Sequence, residues 1–264
     1  MTMSDLNRHI HQVARLNSFG VALLASGSET EAADLFEKGL IALKQCLAME
    51  ARRESMPIGC LNDPNPVVSR SKDYQQRLLG LDHFMLDGND LRFVEPNRFI
   101  VSLPEHAEPA SFVFHRAVTF CPAAHDGRRL RHHDYVLYFS IICFNLALSY
   151  HQRGNVCSHT AESHRLRALK FYQLTAEILL DVPRCRTSML LNIASVNNMS
   201  QIYYERGEFL QARKGLDHLS CLLDASPNDD PDAMKEDAFL PENDMHQLCL
   251  NILLLTEPNA ARAA

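Results

Sequence analysis

Residues 16–36 read LNSFGVALLASGSETEAADLF, and this stretch decides the fold. Upstream of Gly27, Leu6, Ile10, Val13, Leu16, Phe19, Gly20 and Leu23 recur at spacings of three and four, one apolar stripe of a helix over 5–26. Gly27 ends that helix by adopting the left-handed backbone that a helix terminus favours. Ser28 with Glu31 three residues later reads as a capping box. A second stripe follows through Ala32, Leu35, Phe36, Leu40, Leu43 and Leu47. So short a turn forces the two helices to lie antiparallel, as a helical hairpin over 5–53.

The same arrangement returns twice downstream. Cys143, Leu146, Ala147 and Tyr150 form a stripe that Gly154 is predicted to close. Val196, Met199, Ser200 and Tyr203 form another, closed by Gly207. In every copy a small residue (Gly20, Ala147, Ser200) precedes the closing glycine by seven positions. In the first and third, Ala32 and Ala212 stand twelve after the small residue, with Phe36 and Leu216 four further on. The physical need is plain: small side chains let two helices approach, and large neighbours fill the gap beside them. Three occurrences in one register mark an internal repeat.

This pattern resembles the tetratricopeptide repeat. Leu16, Phe19, Gly20, Leu23, Ala32, Phe36 and Gly39 match one unit, and Val196, Met199, Ser200, Tyr203, Ala212, Leu216 and Leu219 match another more loosely. In the middle unit Ala168 and Tyr172 arrive late, so Asn155 to Ser163 is predicted to lengthen its turn. The asparagine-rich first helices are similar to those of degenerate repeat families of unicellular algae. The resemblance implies an all-α, TPR-like fold of stacked helical hairpins whose first helices line a concave groove. It also implies binding of a protein or peptide partner there. Asn17, Asn145, Asn197, Asn198, Gln201, Tyr204, His151 and Gln152 are the candidate groove residues. An asparagine amide is costly within a helix and needs a use for its donor and acceptor. It can meet an extended peptide, bridge neighbouring helices, or complete the carbonyl ladder. Some repeats of the family grip a terminal carboxylate with groove cations. The matching positions here hold Ala14, Asn17, Val21, Ile141, Asn145, Ala194 and Asn198, none of them basic.

Between the first and second hairpins, residues 54–133 form an insertion that opens on Pro57, Gly59, Asp63-Pro64 and Asn65-Pro66. Leu91 to Val94, Phe99 to Leu103 and Ser111 to Phe120 are predicted as short strands, a β-containing excursion too small to stand alone. The second and third hairpins occupy 134–225. An acidic loop and a last helix over about 242–255, with Met245, Leu248, Cys249, Ile252 and Leu253 on one face, complete 226–264 as a terminal cap.

Composition narrows the function classes. Hydrophobic residues make up 46% of the chain and charged residues 22%, as in a globular protein, and the formal net charge is -6. That sign offers no general attraction to nucleic acid or to anionic membrane, and neither is expected as a partner. No secretory leader pattern is present, and the most apolar stretch, Tyr135 to Tyr150, is too short to span a bilayer. An intracellular place, cytoplasmic or nuclear, is the expectation. The eight cysteines carry no C-x-x-C pair and are expected as reduced core thiols. Cys157, His159 and His164 cluster loosely, as do Cys121, His125, His132 and His133, but neither forms two tight ligand pairs, so no metal is expected. The basic run from Arg128 to His133 reads as a solvated loop. No catalytic motif or cofactor fingerprint stands out, and carboxylates such as Glu162 or Glu205 are not distinguished from others. The leading expectation is a non-enzymatic protein-interaction adaptor. The alternatives are an architectural subunit docked through 54–133 and, last, an enzyme with an unrecognised site.

Overall fold

The structure, a computed structural model, describes residues 3–54, 117–120, 132–156, 159–180, 182, 185–224 and 242–256. Seven α-helices account for nearly all of these: α1 (Met3–Ala25), α2 (Glu29–Glu54), α3 (His132–Val156), α4 (Ala161–Leu179), α5 (Arg186–Glu205), α6 (Phe209–Asp224) and α7 (Glu242–Thr256). The described residues are therefore all-α. The predicted strands Leu91 to Val94 and Phe99 to Leu103 lie outside the described residues, as does most of Ser111 to Phe120. Its last residues, 117–120, are described and carry no strand pairing.

The chain divides into two compact units, Met1–Val101 with Val118–Ile142, and Ser102–Ala117 with Cys143–Ala264. The first unit is built on the α1–α2 hairpin. Its turn has the geometry read from the sequence: Gly27 has φ 77°, and Ser28 N–H donates to Leu23 O at 2.9 Å while Gly27 N–H donates to Leu24 O at 3.2 Å. Those two bonds satisfy carbonyls that the helix end would otherwise orphan. Because Ser28 N–H is already committed to Leu23, it is not the donor that the predicted capping box assigned to Glu31. Ile10, Val13, Leu16 and Leu24 of α1 meet Ala32, Phe36, Leu40 and Leu43 of α2 in a core from which water is excluded. Gly20 sits where the helices come closest: a Cβ there would lie 2.5 Å from Phe36 Cε1. Gly39 on the other helix is less tightly placed, where an added Cβ would make ordinary contacts. Its Cβ position is 3.8 Å from Leu16 Cβ and 3.6 Å from Ile142 Cδ1 of α3. The segment 118–120 closes onto this unit, with Phe120 stacked on Tyr138 at 4.3 Å between ring centroids.

In the second unit the latter half of α3 packs on α4, α4 on α5, α5 on α6, and α6 on α7, which also touches α5. Every residue of this half of α3 from Cys143 to His151 is buried, which is why its sequence is mostly apolar on all sides. Helix α6, in contrast, buries only the narrow stripe Ala212, Leu216 and Leu219. Ala147 and Ser200, the counterparts of Gly20, are both fully buried. A Cβ placed on Gly215 of α6 would run into Ser200 Oγ, so the α5–α6 crossing again depends on small residues from both helices. Gly207, at φ 75°, closes α5 as Gly27 closes α1: Glu208 N–H reaches Tyr203 O at 2.8 Å and Gly207 N–H reaches Tyr204 O at 3.0 Å.

Gly154 behaves differently. The sequence predicts that it closes its helix, but α3 continues through it to Val156 and Gly154 is not among the positive-φ glycines of the described residues. It is buried against α4 instead, its Cβ position 3.0 Å from Arg165 Cγ and 3.2 Å from Ala161 O. Its missing side chain serves close approach, not a left-handed turn. Consequently the predicted insertion of residues 155–163 is mostly absorbed into the ends of α3 and α4, leaving only residues 157–160 between them.

Candidate functional site

Helix α5 carries the polar centre of the second unit. Its N-terminus is fixed by a capping box of unusual composition: Cys185 Sγ accepts from Ser188 N–H at 3.4 Å, and Ser188 Oγ accepts from Cys185 N–H at 2.9 Å. From that start the helix delivers Asn197 and Asn198 into the interior, at 1% and 0% exposure. Asn251 Nδ2 of α7 donates to Asn197 Oδ1 at 2.7 Å. Asn197 Nδ2 donates to Asn198 Oδ1 at 3.1 Å, and Asn198 Nδ2 donates to the Tyr172 hydroxyl of α4 at 3.0 Å. The phenol in turn stands 3.5 Å from His151 Nδ1 on α3, which accepts its proton when the histidine is in the Nε2–H tautomer. The result is a directional chain of donors crossing four helices. Burial pushes the Tyr172 phenol well above its ordinary range, against the opposing influence of the Asn198 bond, so it stays neutral.

The eight candidate groove residues thus fall into separate groups. Asn197, Asn198 and His151 belong to this buried chain. Gln201, also buried, donates to Glu205 Oε1 at 3.0 Å along α5. Asn145 is fully buried on α3, next to the equally buried Phe144 and Leu146. Asn17 lies in the first unit, fully buried, where its Nδ2 donates to Val118 O at 2.9 Å. Only Gln152 and Tyr204 are partly exposed. The expectation that the asparagines face a groove is therefore corrected for this structure. An amide with no accessible surface cannot touch a peptide; Asn197 and Asn198 spend theirs on bridging helices and Asn17 on the 118–120 segment. Two members of the chain were missed in the sequence. Tyr172 was read only as a packing residue. Asn251 stands on the apolar face of the last helix, between Leu248 and Ile252, and a polar residue on such a face was the available signal.

A second cluster lies where α3 and α4 meet. Arg153 and Arg167 hold their guanidinium carbons 5.7 Å and 5.5 Å from the centroid of the Tyr150 ring, and Arg167 Nη1 donates to the Tyr150 hydroxyl at 3.4 Å. His164 and Phe171 stack on the same ring, at 5.9 Å and 6.1 Å. His164 Nδ1 is buried with no hydrogen-bond partner, and neither arginine is paired with a carboxylate among the described residues. Burial first, then the charges of Arg153 and Arg167, hold His164 below its ordinary pKa of 6.5. The sign follows: the unfolded chain binds the proton more readily, so the stability this group confers is present above about pH 6.5 and is lost as pH falls through the folded value. Urea midpoints measured between about pH 7.5 and 5 are expected to decline, and His164→Gln should flatten part of that decline. An unchanged slope would show that His164 does not contribute to it.

Beside this cluster, Arg165 meets Glu205 at 3.2 Å, and Arg206 meets Glu162 at 2.6 Å and Glu208 at 2.7 Å. The first two pairs tie the start of α4 to the end of α5, the third stays within the turn after α5, and all contribute little to stability at a solvated surface. Of the basic run ending at His133, only that last side chain is described, 3.4 Å from Asp134. Cys157 lies outside the described residues, and among those described no three His, Cys, Asp or Glu side chains are grouped to hold a metal. The cysteine reading needs amending too. Cys46 and Cys143 are buried, and burial pushes the Cys46 thiol up to about 12, but Cys185, Cys221 and Cys249 are exposed. No described helix is long and apolar enough to cross a membrane. Compared with family models, curated proteins and solved structures, the chain matches none.

Proposed function

We propose that the chain is a TPR-like protein-interaction adaptor, with its hairpins serving as a scaffold and a protein segment as its partner. The observation that carries this reading is the hairpin tip between α5 and α6. Phe209 and Leu210 open α6 at 51% and 67% exposure, and Tyr204 packs edge-on to Phe209 with ring centroids 5.4 Å apart. Large apolar side chains side by side at a surface are what a partner buries at the centre of an interface. The tip beneath them is well fixed, by the Gly207 turn and by Arg206 bonded to Glu208, so little order is lost on binding. The internal repeat of closing turns and small-residue crossings supports the same scaffold role.

The partner surface in this reading shifts from the asparagines to the tip, with Tyr204 the one candidate common to both. Replacing Phe209 and Leu210 together by serine is expected to weaken capture of the partner from the native cell about tenfold or more. The fold should hold, because both side chains already face solvent. Capture by the folded variant at the wild-type level would reject the tip.

One observation favours the alternative of an architectural subunit docked through 54–133. The last residues of that stretch are tied to the helices, through Val118 O on Asn17 and Phe120 on Tyr138. A chain lacking 54–116 that loses its partner, while the serine variant keeps it, would favour that alternative.

A further inference from the structure

The cluster around Tyr150 is more than packing. A guanidinium over an aromatic face is well satisfied on that face, but its N–H donors still point outward and need acceptors. Here two such groups gather on one ring without a carboxylate among the described residues, in a chain whose net charge is -6. Acidic side chains are plentiful and the nearby Arg165 and Arg206 have them. Arg153 and Arg167, among the described residues, do not. The start of α4 adds a second, independent feature. Its N-cap, Thr160, makes no side-chain capping bond, so first-turn N–H groups and the positive end of the helix lie next to His164 in sequence. His164 itself is half-buried and stacks on the Tyr150 ring between the charges of the two arginines.

We propose that Arg153, His164 and Arg167, arrayed on the ring of Tyr150, form a binding site for a phosphomonoester. The chemistry selects this anion over a single carboxylate. Two guanidiniums match a dianion in charge, and a phosphate presents enough oxygens for both forks and a histidine N–H at once. Tyr150, at 3% exposure, is the platform that holds the two arginines and does not need to touch the ligand. The phosphate has two possible carriers, a small phosphorylated metabolite or a phosphoserine in a peptide. The site stands independently of the adaptor reading.

The test uses the full chain and three probes: inorganic phosphate, a phosphoserine peptide, and the same peptide with glutamate in place of phosphoserine. Binding is followed by NMR of the His164 ring and by calorimetry. A bound dianion is expected to raise the His164 pKa by roughly one unit, reversing the influence of the arginines. Arg167→Gln and Arg153→Gln should each weaken phosphate binding about tenfold or more. Both side chains are at least partly exposed, so the variants should fold, and His164→Gln provides a third check. Tighter binding of the phosphopeptide than of inorganic phosphate would identify a peptide carrier, and equal binding a small one. Both support the site. Binding of the glutamate peptide as tightly as the phosphopeptide would overturn the assignment of phosphate. Phosphate that leaves the His164 resonances in place, or binds the arginine variants as well as wild type, would overturn the site.

Discussion

Gly20→Val is expected to break the α1–α2 hairpin, with a loss of about 3 kcal/mol or more. Even a single carbon at this position would lie 2.5 Å, 2.8 Å and 2.9 Å from three atoms of the Phe36 ring. Phe36 has nowhere to go, since it is fully buried between Ala32, Ala33 and Leu40 on its own helix and α1 opposite. Valine adds two further methyls and, being β-branched, recovers only roughly 0.3 kcal/mol of helix propensity over glycine, so little offsets the overlap. Either α1 shifts away from α2 and the core opens, or Phe36 is expelled with the loss of its buried area. Gly20→Ala makes a useful contrast: alanine recovers about 1 kcal/mol of helix propensity, which opposes a smaller overlap. Its net effect should be much milder. Urea denaturation measures both, and a chain with Phe36→Leu provides the decisive control. If the clash is with that ring, Gly20→Val and Phe36→Leu together should cost less than the sum of the two alone, by about 1 kcal/mol or more. Strict additivity would mean that Gly20 is not positioned by Phe36.

That contact also shows what periodicity can and cannot reveal. The spacing from Gly20 to Ala32 and Phe36 anticipated which residues would lie at the crossing, because hairpin geometry ties sequence distance to spatial distance when the turn is short. The same logic placed Ser200 at the α5–α6 crossing, though its actual neighbour there, Gly215, lies one residue before the expected Leu216. It failed at Gly154. A glycine that permits close approach and a glycine that permits positive φ look identical in a sequence, and only the burial of Gly154 against Ala161 O and Arg165 separates them. The asparagines were misplaced for a related reason. Periodicity gives the face of a helix but not what covers it, and α3, surrounded on all sides, has no solvent face on which a groove could form over its central residues. The Tyr150 cluster was legible only in pieces, Tyr150 on a stripe and His164 in a loose histidine group, with Arg153 and Arg167 not singled out. Its arginines and histidine come from two helices, with no fixed spacing between them, and look like ordinary surface charge when read along the chain.

The chain of amides through the second unit should be the other most sensitive point. Asn198→Ala is expected to cost about 2–4 kcal/mol, because it removes the acceptor for Asn197 Nδ2 and the donor to Tyr172 in one step and leaves a cavity. Neither bond can be replaced by water without opening the interior, as every group in the chain is nearly or fully buried. Tyr172→Phe keeps the ring packed against Phe144, at 5.7 Å between centroids, and removes only the hydroxyl, so its cost should be smaller, about 1–3 kcal/mol. If the two residues act through their shared bond, the double variant will lose clearly less than the two single losses combined, with a coupling of about 1 kcal/mol or more. Hydrogen exchange adds a spatial reading: amides of α4, α5 and α7 should all lose protection in Asn198→Ala, since the chain links those helices. The experiment also separates a bridge from a binding residue. A bridging asparagine loses stability when truncated whether or not a partner is present. A groove asparagine would leave the urea midpoint unchanged and weaken only partner capture. A folded Asn198→Ala with wild-type stability would therefore remove the bridge and return these amides to the list of residues that could meet a partner.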